Sequence, residues 1–126
     1  MVAVDYGLAR TGIARTDYCQ TVAIHDQTLV GTASVVVEQL VTLLQSYKAT
    51  EVVVGWPLSL RGHTNTQCVV TQVFLDTLTE RWSGSVHKFD ERFTSVLASE
   101  RYGRDDDAYA ALALLENFLG VRRSQY

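Results

Sequence analysis

The sequence predicts an α/β fold: a mixed five-stranded sheet, made of an antiparallel β-meander plus two parallel strands, flanked by helices. Three observations predict it. Short β-branched runs separated by tight polar breaks open the chain. From Thr32 the apolar spacing lengthens to that of a helix, and beyond it strand-like and helix-like segments alternate. With 126 residues, 47% of them hydrophobic, and one proline, the chain has the core-forming surface of a single domain spanning residues 1–126.

Val2-Ala3-Val4 forms the first strand and leads to Asp5-Tyr6-Gly7. Thr11–Thr16 and Thr21–Ile24 follow after short connections, the signature of a meander. Val36, Leu40, Leu43, Leu44 and Tyr47 share one helical face and predict a first core-facing helix. Val52-Val53-Val54-Gly55 is an unbroken β-branched run, the pattern of a strand buried on both faces, and it stops at Trp56-Pro57. After a polar stretch, Val70, Val73, Phe74, Thr77, Leu78 and Trp82 again fall at helical spacing, with Gly84 as the predicted stop. Ser85–Phe89 forms the fifth strand and ends at Asp90-Glu91-Arg92. A short helix is predicted over Ser95–Glu100. A last helix starts near Asp105, buries Ala108, Ala111, Leu112, Leu115, Phe118 and Leu119, and stops at Gly120.

Charge and cysteine usage exclude several classes. A net charge of -3 argues against coating nucleic acid by bulk electrostatics, and Lys48 and Lys88 are the lysines among 11 basic residues. Cys19 and Cys68 lie far apart without a CxxC or neighbouring histidines, so two reduced packing cysteines are expected rather than zinc ligands. His25, His63 and His87 show no ligand spacing. No stretch approaches the roughly 20 apolar residues of a membrane span, and no basic-then-apolar leader opens the chain, so a soluble cytoplasmic protein is expected.

Strands entered after helices return parallel to the first strand, and such sheets collect functional groups beyond their carboxyl ends. Asp5 ends the first strand, Asp90 and Glu91 end the last, and Asp105 to Asp107 open the final helix. Carboxylates drawn together repel unless a cation neutralises them. Mg²⁺ or Mn²⁺, with its preference for oxygen ligands, suits Asp5, Glu91 and Asp107 and would support phosphodiester hydrolysis without His or Cys. Each acid also has a structural explanation: Asp105 and Asp106 suit helix capping, Asp5 a turn, and Asp90-Glu91-Arg92 a solvated strand end. Trp56 and Trp82 read as packing residues, although Trp56 stands near the proposed site and could meet a base.

Taken together, Asp5-Tyr6-Gly7, Arg10-Thr11-Gly12-Ile13-Ala14, Val53-Val54-Gly55-Trp56-Pro57-Leu58, Asp90-Glu91-Arg92-Phe93-Thr94-Ser95 and Asp107-Ala108-Tyr109-Ala110-Ala111 resemble the YqgF (RuvX) family of ribonuclease H-like proteins. The order and spacing of these motifs carry the resemblance over nearly the whole chain. It implies a ribonuclease H-like fold and a metal-dependent nuclease with Asp5, Glu91 and Asp107 as catalytic metal ligands. Arg10 and Arg92 would position the phosphate. Proteins of this family are described as nucleases maturing the 5′ end of precursor 16S ribosomal RNA, or as Holliday junction resolvases. Three departures stand out: Ala9 where the family commonly has Lys, Ser59-Leu60-Arg61-Gly62 in place of a more polar loop, and a short segment between Glu91 and Asp107.

An RNA-directed nuclease acting on precursor 16S ribosomal RNA as a monomer or weak homodimer is therefore the favoured expectation. A junction-specific DNA nuclease is the alternative enzyme, and it requires a dimer to make two cuts. The alternative of another class is an inactive nucleic-acid or ribosome-associated binding protein, favoured by the acidic balance and opposed by the retained carboxylates. An actin-like ATPase shares the Asp-x-Gly strand end but needs two such domains.

Overall fold

The computed structural model describes residues 1–17, 23–57, 65–90 and 107–124. Five strands form one sheet: β1 (Val2–Asp5), β2 (Thr11–Thr16), β3 (Ala23–Leu29), β4 (Glu51–Trp56) and β5 (Ser85–Asp90), in the spatial order β3-β2-β1-β4-β5. β1 to β3 are an antiparallel meander, while β4 runs parallel to β1 and β5 parallel to β4. The helices are α1 (Ala33–Tyr47), α2 (Thr66–Arg81) and α3 (Asp107–Ser124).

Strand alternation divides the core in two. Val2, Val4, Ile13, Val52 and Val54 pack with Val36, Val37, Leu40 and Leu44 of α1 and with Phe74, Leu75 and Leu78 of α2. On the opposite face Ala3, Ala14 and Val53 pack with Ala111, Leu112, Leu114, Leu115 and Leu119 of α3. Alanines on this second face admit the leucines of α3 close to the sheet. No helix among the described residues is long and apolar enough to cross a membrane.

Local chemistry explains the boundaries. Thr32 caps α1 by accepting from the Val35 N–H, and Lys48 closes the helix in the left-handed conformation at φ 54°. Asn65 caps α2 through Oδ1, which accepts from the Cys68 N–H at 3.1 Å. Cys68 is free and buried, as expected, whereas Cys19 lies outside the described residues.

Several expectations are corrected. Thr21 and Val22 lie outside the described residues, and β3 extends beyond the predicted Ile24 to Leu29, because an edge strand is held by its ladder to β2 and tolerates the polar run from His25 to Thr28. The ladder shifts at Ile13/Ala14, where Gln27 and His25 are consecutive partners and Asp26 is the extra residue. Asp26 then accepts the Tyr47 hydroxyl at 2.7 Å. On α2 the predicted Phe74 and Leu78 are buried and Val70 and Trp82 pack against the same core, whereas Val73 faces solvent and Cys68, Thr71 and Leu75 complete the buried stripe. Cys68 and Thr71, small or polar, are buried positions that hydrophobic spacing does not reveal. α2 ends at Arg81, and Gly84 is required instead by Trp82, whose ring a Cβ there would meet at 2.2 Å. α3 continues through Gly120 to Ser124, since one mid-helix glycine costs only about 1 kcal/mol and nothing after it forces a turn. The predicted helix over Ser95–Glu100 and the predicted start at Asp105 lie outside the described residues.

Thr71 is buried in α2, and its hydroxyl has no hydrogen-bond partner among the described residues. Thr71→Val keeps the shape and removes the unpaired group, so it is expected to stabilise the fold by about 1 kcal/mol. A higher urea midpoint at unchanged slope is the measurement that checks it.

Candidate active site at the carboxyl edge of the sheet

β1, β4 and β5 run in one direction, so their carboxyl ends share an edge. Val4 pairs with Val54, and Trp56 pairs with Asp90, which sets Asp5, Gly55, Trp56 and Asp90 along that edge. Asp5 is half-buried, whereas Asp90 is exposed. By strand alternation Asp5 follows Ala3 onto the face covered by α3. Its partner on β2 is Gly12, and on β4 the residue after Val54 is Gly55. At the level of Asp5 both neighbouring strands thus carry a glycine. Sequence reasoning did not single out these two glycines beside the candidate acid; the signal was their place within the Thr11-Gly12 and Gly55-Trp56 motifs.

The segment after Asp5 is anchored from below. The Tyr6 ring stacks on Phe74 of α2 at a centroid distance of 4.3 Å and 14° between planes. Gln67 Nε2 donates to the Tyr6 carbonyl at 3.4 Å. Burial pushes the Tyr6 phenol up, so it stays neutral beside the acidic strand end. Gly7 lies so close to the turn that a Cβ would stand 2.6 Å from the Arg10 carbonyl oxygen. The turn thereby delivers Arg10, which is exposed, immediately before β2.

Of the predicted ligands, Asp5 is fully described. Asp107 is the first residue of α3, on the sheet face shared with Asp5, but its side chain lies outside the described set. Glu91 directly follows β5 in sequence and, with Arg92, also lies outside it. Among the described residues no three His, Cys, Asp or Glu side chains group to hold a metal. The predicted donor set of Asp5, Glu91 and Asp107 is entirely carboxylate oxygen, which fits a hard divalent cation and not a thiol-seeking one. His87 stands 3.6 Å from Glu51 and packs against Phe118, away from any such set.

A mixed sheet with a meander, two parallel strands and an acid at the end of the central strand is a ribonuclease H-like architecture. The chain belongs to the RuvX family, whose profile, described as "Holliday junction resolvase", matches residues 1–120. A Chloroflexus aurantiacus protein named "Putative pre-16S rRNA nuclease" is 34% identical, over 98% of this chain and 88% of that protein. A relative of the same name from Roseiflexus is 29% identical, over 98% of this chain and 95% of its own. Among solved structures, Thermus thermophilus RuvC matches with a TM-score of 0.61 at 13% identity, covering 98% of this chain and 97% of that one. The same protein in complex with a Holliday junction substrate matches with a TM-score of 0.60 at 12% identity, covering 91% and 90% of the two chains. These likenesses bear out the predicted fold and family.

Gly7→Ala must displace the Arg10 backbone, because the obstructing atom is a carbonyl oxygen rather than a flexible side chain. The expected result is a destabilisation of about 1–3 kcal/mol, together with loss of nuclease activity beyond what the lower stability accounts for. Thermal unfolding and cleavage rates measured on the same preparation check it.

Proposed function

We propose that this protein is a divalent-metal-dependent endonuclease that acts in the cytoplasm on precursor 16S ribosomal RNA at its 5′ end. The observation that carries the reading is the Asp5 carboxylate, half-buried at the carboxyl end of the central strand and bordered by Gly12 and Gly55. Relatives matched over nearly their whole length and named for the same substrate support it.

Asp5, Glu91 and Asp107 would hold the cation, Mg²⁺ or Mn²⁺, by carboxylate oxygen alone. When bound, such an ion stabilises charge on a phosphoryl group and makes water a stronger nucleophile. Asp5 contributes a fixed negative charge at a strand end that cannot shift without unpairing β1. Arg10, held by the Gly7 turn, and Arg92 would draw the phosphate towards that edge and orient it. One such edge per chain suffices to trim an RNA end, so a monomer or weak dimer serves. A four-way DNA junction is the second reading, favoured by the family's description and by the fold match to RuvC. It requires two sites held by a dimer.

The deciding assay offers precursor 16S RNA and a four-way junction side by side with Mg²⁺, with Mn²⁺ and with EDTA. RNA cleavage that EDTA abolishes is expected. Preferential junction cutting overturns the RNA assignment, and binding without cleavage of either substrate favours an inactive binding protein. Asp5→Asn is expected to lower cleavage at least about a hundredfold, the scale of losing one charge stabiliser at a reacting phosphate, with little change in unfolding temperature. Asp106→Asn, a change at the residue that precedes α3 in sequence, should cost roughly 0.3–1 kcal/mol of stability if Asp106 only complements the helix dipole, and leave cleavage intact.

A further inference from the structure

We infer that Trp56 and Lys88 form a subsite for one unstacked nucleotide of a single-stranded segment next to the scissile phosphate. The inference rests on the reading of the Asp5 edge as the site of cleavage.

Trp56 is the last residue of β4, level with Asp90 on β5, so it belongs to the same carboxyl edge as Asp5. By alternation it lies on the other sheet face, with Val52 and Val54, and it packs partly against their core. Its half-buried indole borders a cavity of about 430 Å³ lined also by Asn65, Cys68, Val69 and Gln72. Val69 is 65% exposed, an apolar wall open to solvent. The Lys88 ammonium stands 4.2 Å from the centre of the Trp56 ring. It donates to Gln72 Oε1 at 3.3 Å, while Gln72 Nε2 donates to Asp76 at 2.9 Å.

The chemistry of this group selects its ligand. An indole against an apolar wall offers a stacking surface to any base, since every base has a π-face. The adjoining ammonium is exposed on β5 and can turn from the ring to a phosphate oxygen. Polar groups that would read a base edge are already engaged. Asn65 Oδ1 accepts from Cys68 N–H, Asn65 Nδ2 donates to the Pro57 carbonyl at 2.9 Å, and Gln72 Nε2 stays on Asp76 when Lys88 turns away. The subsite therefore takes a base by stacking and tolerates its sequence. A base in a duplex has both faces covered, so the ligand is a single strand. A chain presenting a phosphate at Asp5 on one face would cross the edge and set an adjacent base against Trp56 on the other.

The test is equilibrium binding of a fluorescently labelled oligoribonucleotide, the matching oligodeoxyribonucleotide and the blunt duplex, all in EDTA so that nothing is cleaved. Trp56→Leu keeps an apolar side chain against the core but removes the ring, Trp56→Phe keeps a ring, and Lys88→Ala removes the cation. Thermal unfolding verifies that each variant is folded. Trp56→Leu is expected to weaken single-strand binding about five- to a hundredfold, with most of it restored in Trp56→Phe and duplex binding unmoved. Lys88→Ala should flatten the salt dependence by about one phosphate contact. Equal loss on both sugars, or a larger loss on RNA, supports the subsite and separates base stacking from ribose recognition. Unchanged single-strand binding in folded Trp56→Leu overturns it, as does failure of the wild-type protein to bind single strands, or an equal loss on single strands and duplex. Cleavage is scored separately with Mg²⁺. A wild-type protein that cleaves while Trp56→Leu binds normally removes the subsite and leaves the nuclease; one that binds through Trp56 but cleaves nothing does the reverse.

Discussion

Everything in this molecule hangs on β1 being buried on both faces between an antiparallel and a parallel neighbour. Val2, Ala3 and Val4 are each at most 1% exposed. Val2 and Val4 face α1 and α2, and Ala3 faces α3. A slip of one residue would drive valines into the tight α3 layer and leave an alanine where α1 and α2 need volume. The register against Ile13 of β2 and Val54 of β4 is therefore fixed by packing on two sides at once. Asp5 is the next residue, and its position at the edge follows from that register without further contacts being required to set it.

The unequal layers around the sheet follow from the same strand. The α1/α2 side is filled by β-branched and aromatic side chains, with Tyr6 stacked on Phe74 as its outer limit towards the carboxyl edge. The α3 side is thinner, because Ala3 and Ala14 let the helix approach and its leucines supply the volume. Ala111, Leu112, Leu114, Leu115 and Leu119 are the residues of α3 packed with Ala3, Ala14 and Val53, so rotation of the helix about its axis would break that interface. Packing of small sheet residues against large helix residues thus fixes the seat of α3 on the face that Asp5 shares.

What was legible in the sequence was what burial writes strongly. The Val52-Val53-Val54 run announced a strand with two covered faces, and it has them. The α1 face was read correctly at Val36, Leu40 and Leu44, where large apolar residues recur at the helical period. On α2 the reading held at Phe74 and Leu78 but took in Val73, which is exposed, and missed Cys68 and Thr71, whose burial hydrophobicity does not announce. β3 was shortened because its polar residues are tolerated at a sheet edge, a property of the neighbour rather than of the segment. Asp5 was legible from its place before Gly7, yet the flanking pair Gly12 and Gly55 was not, since adjacency across strands appears only once the register is known. Glu91 and Arg92 lie outside the described residues, and for Asp107 the helix start alone is placed.

The carboxyl edge is the one place where groups from both faces of the sheet come within reach of a single ligand. Elsewhere the sheet separates them: side chains like Asp5 and Ala3 belong to the α3 layer, and side chains like Val54 and Trp56 to the layer of α1 and α2. At the ends of β1, β4 and β5, Asp5 and Trp56 stand at the last strand positions, and Lys88 lies over the Trp56 ring. That geometry also answers how a chain of net charge -3 could address nucleic acid. Bulk attraction is unavailable to it, so affinity has to come from a few cations set where the phosphates pass and from apolar surface that stacks bases independently of salt. Arg10 and Lys88 are set at this edge by a glycine turn and by a ring, each held by the strands that also fix Asp5.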